Sequence, residues 1–225
     1  QELLEPGDIT GLEVTWLASD QPAPTGEWLA LVPLLSRWVG GTELRRLPRL
    51  RIVANVAVGY NNIDVVAAEL RRVVVTNTPD VLTEATADLT WALILACAKR
   101  LPAGMDLVRS GQWTGWHPTQ LLGMELAGRT LGLLGAGRIG QGVGRRGRAF
   151  GMRILYAART PKPEFEAETG ARRVELGPLF RDSDVLSLHV PAVPELKGVV
   201  NMENLGRMKA GAIVVNTSRG DLVRE

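Results

Sequence analysis

A chain of 225 residues is long enough for one large α/β domain or for two smaller ones. Hydrophobic residues make up 45% of it and charged residues 22%, which is the composition of an ordinary globular protein and excludes a disordered or fibrous one. The net charge is +2 and no apolar run reaches the length of a membrane span, so we expect neither a nucleic acid nor a membrane as a partner.

The first 80 residues are predicted to form one domain with a parallel β-sheet. Candidate strands lie at residues 12–17, 51–58 and 72–76, and the continuous apolar character of the second one indicates burial on both faces. The polar side chains of residues 61–64 are predicted to cap a helix over residues 65–70. Because the sequence does not begin with Met, we expect its natural N-terminus to be absent.

A long helix is predicted over residues 85–98, with its end at Arg100-Leu101-Pro102. It is apolar over most of its circumference, so we expect it to be buried between domains or in a subunit interface, and we place the domain junction here. Together with Trp113 and Trp116 in the following loop, this helix predicts a homodimer. Cys97 is the only cysteine, which excludes a disulfide framework within one chain and favours a cytoplasmic location.

The most informative motif is a buried strand that runs into Gly-x-Gly-x-x-Gly. A strand over residues 131–134, a helix over 138–150 and a strand over 152–157 give the order that a dinucleotide-binding site requires. A glycine-rich loop without a ligand is the alternative interpretation. The candidate cofactor-binding residues in this motif are Gly135, Gly137, Arg138, Ile139 and Gly140.

Each glycine of the motif has its own predicted task. Gly135 permits the tight turn, and Gly137 lets backbone N–H groups approach a pyrophosphate at the positive end of the helix. Gly140 lets the helix and the strand pack closely. Gly140, Gly144 and Gly147 share one face of the helix, so we expect that face to pack tightly enough to offset their low helix propensity.

The residues after the second strand bear on the choice of cofactor. Ala158, 18 residues past Gly140, stands where a carboxylate would hold the ribose 2′-hydroxyl of NAD. Arg159 and Thr160 follow at once, with Lys162 nearby, and a guanidinium and a hydroxyl suit a 2′-phosphate. We therefore predict NADPH (NADP) as the preferred cofactor, with NAD also possible. An exposed arginine after a strand is the alternative.

The rest of the chain continues the alternation of strands and helices. Strands are predicted at residues 184–190 and 212–216, with a short helix at residues 202–208 between them. This alternation predicts an α/β fold with two Rossmann-like or flavodoxin-like domains on parallel sheets, of which the dinucleotide-binding domain is doubly wound.

Three segments resemble the D-isomer-specific 2-hydroxyacid dehydrogenases, and most of all their glyoxylate/hydroxypyruvate reductase branch. They are residues 51–64 (RIVANVAVGYNNID), residues 75–88 (VTNTPDVLTEATAD) and residues 216–220 (NTSRG). The resemblance implies hydride transfer between NAD(P)H and a short 2-oxo acid. It also implies that residues 1–80 are the N-terminal part of a substrate domain and that residues 81–225 form the dinucleotide-binding domain.

The resemblance assigns roles to single residues. Arg219 is the expected catalytic residue, because its planar fork can hold the substrate carboxylate and polarise the ketone. Backbone N–H groups at Val58 and Gly59 are expected to bind the same substrate. No metal site is expected. Further cofactor-binding candidates, besides Arg159 and Thr160, follow the later strands: His189, Pro191, Thr217, Ser218 and Arg219.

The chain departs from the family's pattern at its end. The family's acid/base pair, a glutamate and a histidine, comes after the arginine, but only six residues follow Arg219 here. We therefore expect the C-terminal part to be missing and the 225-residue chain by itself to be inactive. His117 cannot be carried over as the acid. His189 is predicted to shape the rim of the cofactor site and not to transfer protons.

Two other functions stay open. The same family chemistry could act on D-lactate, phosphoglycerate or formate, because substrate size depends on a few loop positions. A relative of this family works as a transcriptional corepressor, so a non-catalytic, dinucleotide-sensing binder is the other alternative. Nothing in the sequence indicates the exposed peptide cleft that such a binder needs. The presence of Arg219 and of the loop at Val58 and Gly59 favours an enzyme.

Overall fold

The computed structural model describes residues 11–18 and 21–224. The chain divides into two units, with the boundary between Val81 and Leu82. Each unit has its own parallel β-sheet and its own hydrophobic core. Across the described residues, no helix combines the length and the apolar character needed to cross a bilayer.

The first unit is built on a three-stranded parallel sheet in the order β1-β2-β3. Asp64 caps its second helix, because the Asp64 side chain accepts a hydrogen bond from the Ala67 N–H at 2.9 Å. The fully buried Val53 of the central strand packs in one core with Leu44 and Ala68 of the two helices. The elements are β1 (Ala30–Leu31), α1 (Gly41–Arg46), β2 (Ile52–Ala54), α2 (Val65–Leu70) and β3 (Val74–Thr76).

The strand predicted at residues 12–17 is wrong. Residues 11–18 form no strand, and Leu12 and Trp16 are 69% and 54% exposed. The alternation of apolar and polar residues there matches a strand, but a strand also needs a partner for its backbone groups. The sheet instead takes Ala30–Leu31 as the neighbour of β2.

The second unit is a five-stranded parallel sheet in the order β6-β5-β4-β7-β8, flanked by six helices among the described residues. The strand order reverses at β4, which lies between β5 and β7, and ligands of doubly wound sheets bind at such a point. The strands are β4 (Thr130–Leu134), β5 (Arg153–Ala157), β6 (Arg172–Arg173), β7 (Val185–Leu188) and β8 (Ile213–Asn216). The helices are α3 (Thr83–Ala98), α4 (Leu101–Arg109), α5 (Arg138–Ala149), α6 (Pro163–Thr169), α7 (Leu176–Asp182) and α8 (Met202–Gly206).

Helices cover both faces of this second sheet. On one face, Leu131 and Leu133 of β4 share a core with Trp91 of α3. On the other face, Leu134 shares a core with Phe180 of α7. Because every residue of β4 is buried, the strand has the continuous apolar character that a central parallel strand requires. The fold class predicted from the sequence is thus confirmed.

The long helix α3 ends where predicted, and a second helix that was not predicted, α4, precedes the loop at residues 111–118. Arg100 adopts a left-handed conformation with φ of 54°, which breaks α3. Pro102 then lies in the first turn of α4, where its missing N–H costs nothing. The α3 helix buries Trp91, while Leu89 and Leu93 are 55% and 40% exposed, so it is not buried on all sides in this chain.

Candidate functional site

The carboxyl ends of four strands line up at one edge of the second sheet. Leu134 of β4 is in register with Ala157 of β5 and with Leu188 of β7, and Leu188 is in register with Asn216 of β8. The next residues along the chain therefore emerge at the same edge. They are Gly135, Ala158, His189 and Thr217, so four separate predicted segments meet here.

The turn between β4 and α5 fits only a glycine at position 135. Gly135 has φ of 98°, and a Cβ atom there would lie 2.5 Å from the carbonyl oxygen of His189. The Gly135 N–H donates to Ala157 O at 2.9 Å, and the His189 N–H donates to Leu134 O at 2.7 Å. These bonds fix the turn against both neighbouring strands.

The other two motif glycines have different surroundings. A Cβ at Gly140 would collide with the carbonyl oxygen of Gly135, so the start of α5 packs on the turn itself. Gly137 is the N-cap of α5, and no heavy atom of the described residues lies within 4 Å of its Cβ position. Open space in front of a helix N-terminus fits the pyrophosphate of a dinucleotide, which needs backbone N–H donors and positive potential.

Gly144 and Gly147 bring α5 close to the sheet and to α6, as the sequence predicted. A Cβ at Gly144 would lie 2.5 Å from Cζ of Phe165, and a Cβ at Gly147 would lie 2.6 Å from Cδ2 of Leu131. Close packing on this face compensates for the poor helix propensity of glycine.

Three further predicted cofactor-binding residues differ in exposure: Arg138 and Ile139, between Gly137 and Gly140, and Pro191 after β7. Arg138, the first residue of α5, is exposed, whereas Ile139 is half-buried and packs against the core. The side chain of Ile139 therefore packs in the core, and its backbone N–H, at the start of the helix, is the group that could contact a cofactor. Pro191 is exposed two residues after His189.

His189 is half-buried at the end of β7. Its Nε2 atom shares a hydrogen bond of 2.8 Å with the hydroxyl of Ser187, and burial lowers the pKa of His189 to about 4. The imidazole is therefore neutral at neutral pH and is a poor general acid there. Its role in shaping the rim of the cofactor site stays a prediction.

His189 is expected to make the unfolding free energy depend on pH. Its pKa is about 4 in the folded chain and 6.5 in the reference state, so the unfolded chain binds more protons between these values and stability rises with pH. Stability is full above pH 6.5 and is lost as the pH falls towards 4, by about 2 kcal/mol for a partly exposed ring. Urea unfolding at about pH 7.5 and about pH 4.5 should show a smaller acid loss for His189→Gln than for the parent chain. Equal losses would contradict the assignment.

The turn that carries Arg219 is held by a side chain that the sequence prediction missed. Asn216 Nδ2 donates to the Arg219 carbonyl at 2.7 Å, and Asn216 Oδ1 accepts from the Ser218 N–H at 3.0 Å and from its hydroxyl at 2.9 Å. The Thr217 hydroxyl lies 2.9 Å from the hydroxyl of Thr90 on α3. Arg219 is half-buried, and its Nη1 donates to Ser218 O at 3.0 Å. The guanidinium is thus carried by a rigid turn.

The loop at Val58 and Gly59 in the first unit is held in the same way. Asn55 Nδ2 donates to Gly59 O, and Asn77 Nδ2 donates to Val58 O, both at 2.8 Å. Asn62 Nδ2 in turn donates a hydrogen bond to Asn55 Oδ1 at 3.0 Å, which fixes the Asn55 side chain. Among the residues that the structure describes, the N–H groups of Val58 and Gly59 donate to nothing. Their carbonyls are engaged and their N–H groups are available, as an anion-binding loop requires.

The cations predicted to select the cofactor follow β5. Arg159 and Thr160 are exposed, and Lys162 Nζ donates to the Thr160 hydroxyl at 3.2 Å. Because β5 pairs with β4 in parallel, this turn lies at the same sheet edge as the glycine motif. No carboxylate stands at positions 158–160 to bind a ribose 2′-hydroxyl.

Comparison with known proteins agrees with this geometry. A sequence profile described as D-isomer specific 2-hydroxyacid dehydrogenase, NAD binding domain, matches residues 91–225, more than half of the chain. The chain is 51% identical over 198 residues to the glyoxylate reductase of Aeropyrum pernix, a match that covers 86% of this chain and 59% of that relative.

Solved structures show the same similarity. A protein from Thermus thermophilus is 47% identical with a TM-score of 0.81, and the match covers 86% of this chain and 61% of that one. The D-lactate dehydrogenase of Aquifex aeolicus, solved with NAD and lactic acid, is 31% identical with a TM-score of 0.81, over 86% and 57%. The chain therefore spans less than two thirds of the length of these relatives.

Proposed function

We propose that this chain, which belongs to the D-isomer-specific 2-hydroxyacid dehydrogenase family, is part of an oxidoreductase that reduces short 2-oxo acids, with glyoxylate and hydroxypyruvate as the first candidates. One observation supports the proposal most directly. The glycine-rich turn over residues 135–140, called the glycine cradle below, follows β4, and the turn that carries Arg219 follows β8. The carboxyl ends of both strands are in register through β7. A nicotinamide cofactor, when bound, would supply the hydride to the carbonyl carbon of the 2-oxo acid, and a proton from a general acid would complete the hydroxyl group.

The chain's own residues bind and orient the substrate in this proposal. The Arg219 guanidinium holds the carboxylate in a two-pronged contact and polarises the carbonyl oxygen next to it. For the first unit, we keep the assignment that the family resemblance implies: it is the N-terminal part of the substrate domain, and the N–H groups of Val58 and Gly59, which donate to no other described residue, bind an anionic acid. Asn216, Asn55 and Asn77 keep the two turns in shape, so little reorganisation accompanies binding.

The test of the proposed function is a comparison of substrates with the full-length protein. We expect glyoxylate- and hydroxypyruvate-dependent oxidation of NADPH, with a higher kcat/KM than for pyruvate. Preference for pyruvate would indicate a D-lactate-type enzyme instead, a function that the 51% identity to a glyoxylate reductase does not favour. Tight NADPH binding without turnover of any 2-oxo acid would indicate a non-catalytic binder.

NADPH is proposed as the preferred cofactor of this NAD-binding domain. Arg159 and Thr160 stand where a carboxylate would favour NAD, and Lys162 adds a second positive charge beside them. A guanidinium can hold a 2′-phosphate, whereas a carboxylate would repel it.

Arg159→Ala is expected to weaken NADPH binding about 10- to 100-fold, because one charge-assisted contact with a phosphate is lost. The affinity for NADH should change less than about twofold, since NADH lacks the 2′-phosphate. Fluorescence titration of both cofactors checks this, with Arg153→Ala at the opposite end of β5 as the matched control. Equal losses of affinity for NADPH and NADH would contradict the assignment of Arg159 to the 2′-phosphate.

A cytoplasmic location and a homodimer complete the proposal. A single cysteine suits a reducing compartment. For the dimer, Leu101, Met105 and Val108 of α4 line a cavity of about 410 Å³ and are 50–60% exposed. Trp116, in the loop that follows, is 82% exposed. Consecutive elements that leave large apolar side chains in water favour burial against a second copy.

Light scattering at micromolar concentration is expected to give the mass of a dimer. Met105→Lys should shift this mass towards the monomer, because it places a charge among the apolar side chains of α4. Met202→Lys, at an 83% exposed position on α8, is the control that should stay dimeric. A parent protein of monomeric mass would refute the dimer.

A further inference from the structure

The turn after β5 that carries Arg159 is held at both ends by side chains that the proposed function does not use. At its start, Arg173 Nε donates to Ala158 O at 2.9 Å, and Arg173 Nη2 donates to Arg159 O at 3.2 Å. At its end, the backbone N–H of Lys162 donates to the Tyr156 hydroxyl at 2.8 Å. The turn is thus anchored to two adjacent strands, β5 and β6.

Arg173 reaches the turn because of the strand register. It lies opposite Tyr156 in the β5–β6 pair, so its side chain starts beside the end of β5. The Tyr156 ring is fully buried, and its hydroxyl donates to Glu166 of α6 while it accepts from Lys162. This second anchor is therefore fixed by the core beneath it.

The positive charge at this turn is not balanced by ion pairs. In the described part of the chain, no salt bridge joins an acid to Arg159, Lys162 or Arg173. Arg173 binds two carbonyl oxygens, which leaves its full charge in place. The neighbouring helix α6 carries three acids: Glu164 and Glu166 in its first turn, and Glu168, which pairs with Arg145.

The Arg173 guanidinium binds the consecutive carbonyls of Ala158 and Arg159, so it fixes these two peptide groups relative to each other. It thereby also fixes the direction in which the Arg159 side chain leaves the backbone. We propose that Arg173 is a positioning residue for cofactor selectivity, which acts through Arg159 on recognition of the adenosine 2′-phosphate of NADPH. The inference rests on the proposed preference for NADPH. Lysine cannot replace Arg173, because a single ammonium lacks the planar fork that holds both carbonyls.

The test is a double-mutant cycle in the full-length protein, with dissociation constants for NADPH and NADH measured by fluorescence titration. Arg173→Ala should weaken the binding of NADPH about 3- to 10-fold and change the affinity for NADH by less than about twofold. Arg173→Lys should behave in the same way. In the Arg159→Ala background, Arg173→Ala should have no further effect on the NADPH/NADH ratio.

Arg172→Ala is the matched control, because Arg172 is the exposed neighbour on the same strand and points to the other face. Arg172→Ala should leave the dissociation constants of NADPH and NADH unchanged. Two results would overturn the positioning role, since each indicates a direct charge contact between residue 173 and the cofactor. One is an equal loss of NADPH affinity from Arg173→Ala in the parent and in the Arg159→Ala background. The other is a parent-like NADPH affinity in Arg173→Lys. An unchanged ratio in Arg159→Ala itself would instead overturn the NADPH preference. If Arg173→Ala does not fold, Arg173→Lys in both backgrounds gives the same comparison.

Discussion

Arg219→Lys is expected to lower kcat/KM for glyoxylate roughly 30- to 150-fold in the full-length protein. Lysine keeps the positive charge but loses the planar, two-pronged contact with the carboxylate, which corresponds to about 2–3 kcal/mol of transition-state stabilisation. The turn around residue 219 should survive the change, because Asn216 holds the backbone carbonyl and not the guanidinium. Steady-state rates with NADPH and glyoxylate give kcat/KM for the variant and for the parent protein.

Arg207→Lys is the control for this variant. Arg207 follows α8 and pairs with Glu203 on the surface, where a lysine can replace it with little effect. The two variants should therefore differ in kcat/KM and agree in thermal stability. A near-normal kcat/KM for Arg219→Lys would remove Arg219 from the substrate site.

Two alanine substitutions in the glycine motif are expected to separate cofactor binding from folding. Gly137→Ala should weaken both NADPH and NADH at least about tenfold, because the new methyl group occupies the space in front of the helix N-terminus. Its stability should fall by no more than about 1 kcal/mol, since φ of −76° suits alanine and nothing in the described residues lies near the Cβ position.

Gly140→Ala should behave differently, because its Cβ would collide with the backbone oxygen of Gly135. We expect a loss of about 1–3 kcal/mol in unfolding free energy, together with weaker cofactor binding, as α5 shifts from the turn. Urea unfolding and fluorescence titration on the same samples check both variants. Gly177→Ala, where a Cβ on α7 meets no atom within 4 Å among the described residues, should change neither quantity. Unchanged affinity in Gly137→Ala would exclude the pyrophosphate from that space.

Local patterns were sufficient to predict most of the second unit. The strand β4, the helix α5 and the strand β5 lie within one or two residues of their predicted bounds. Buried parallel strands are continuous apolar runs, and the conformations that glycine alone adopts are visible in a single turn, as at Gly135 with its φ of 98°. The helices α4, α6 and α7 were not predicted, because each has nine residues or fewer and is too short to show a long periodic pattern.

The sequence by itself determined the parallel α/β fold, the family and the glycine cradle, because these depend on residues that are neighbours along the chain. The tertiary structure decided which residues hold the site in shape. Thr90 meets Thr217 across 127 positions, and Arg173 reaches Arg159 only because β6 pairs with β5. It also rejected the strand at residues 12–17 and set the pKa of His189, since pairing partners and burial depend on parts of the chain that are distant in sequence.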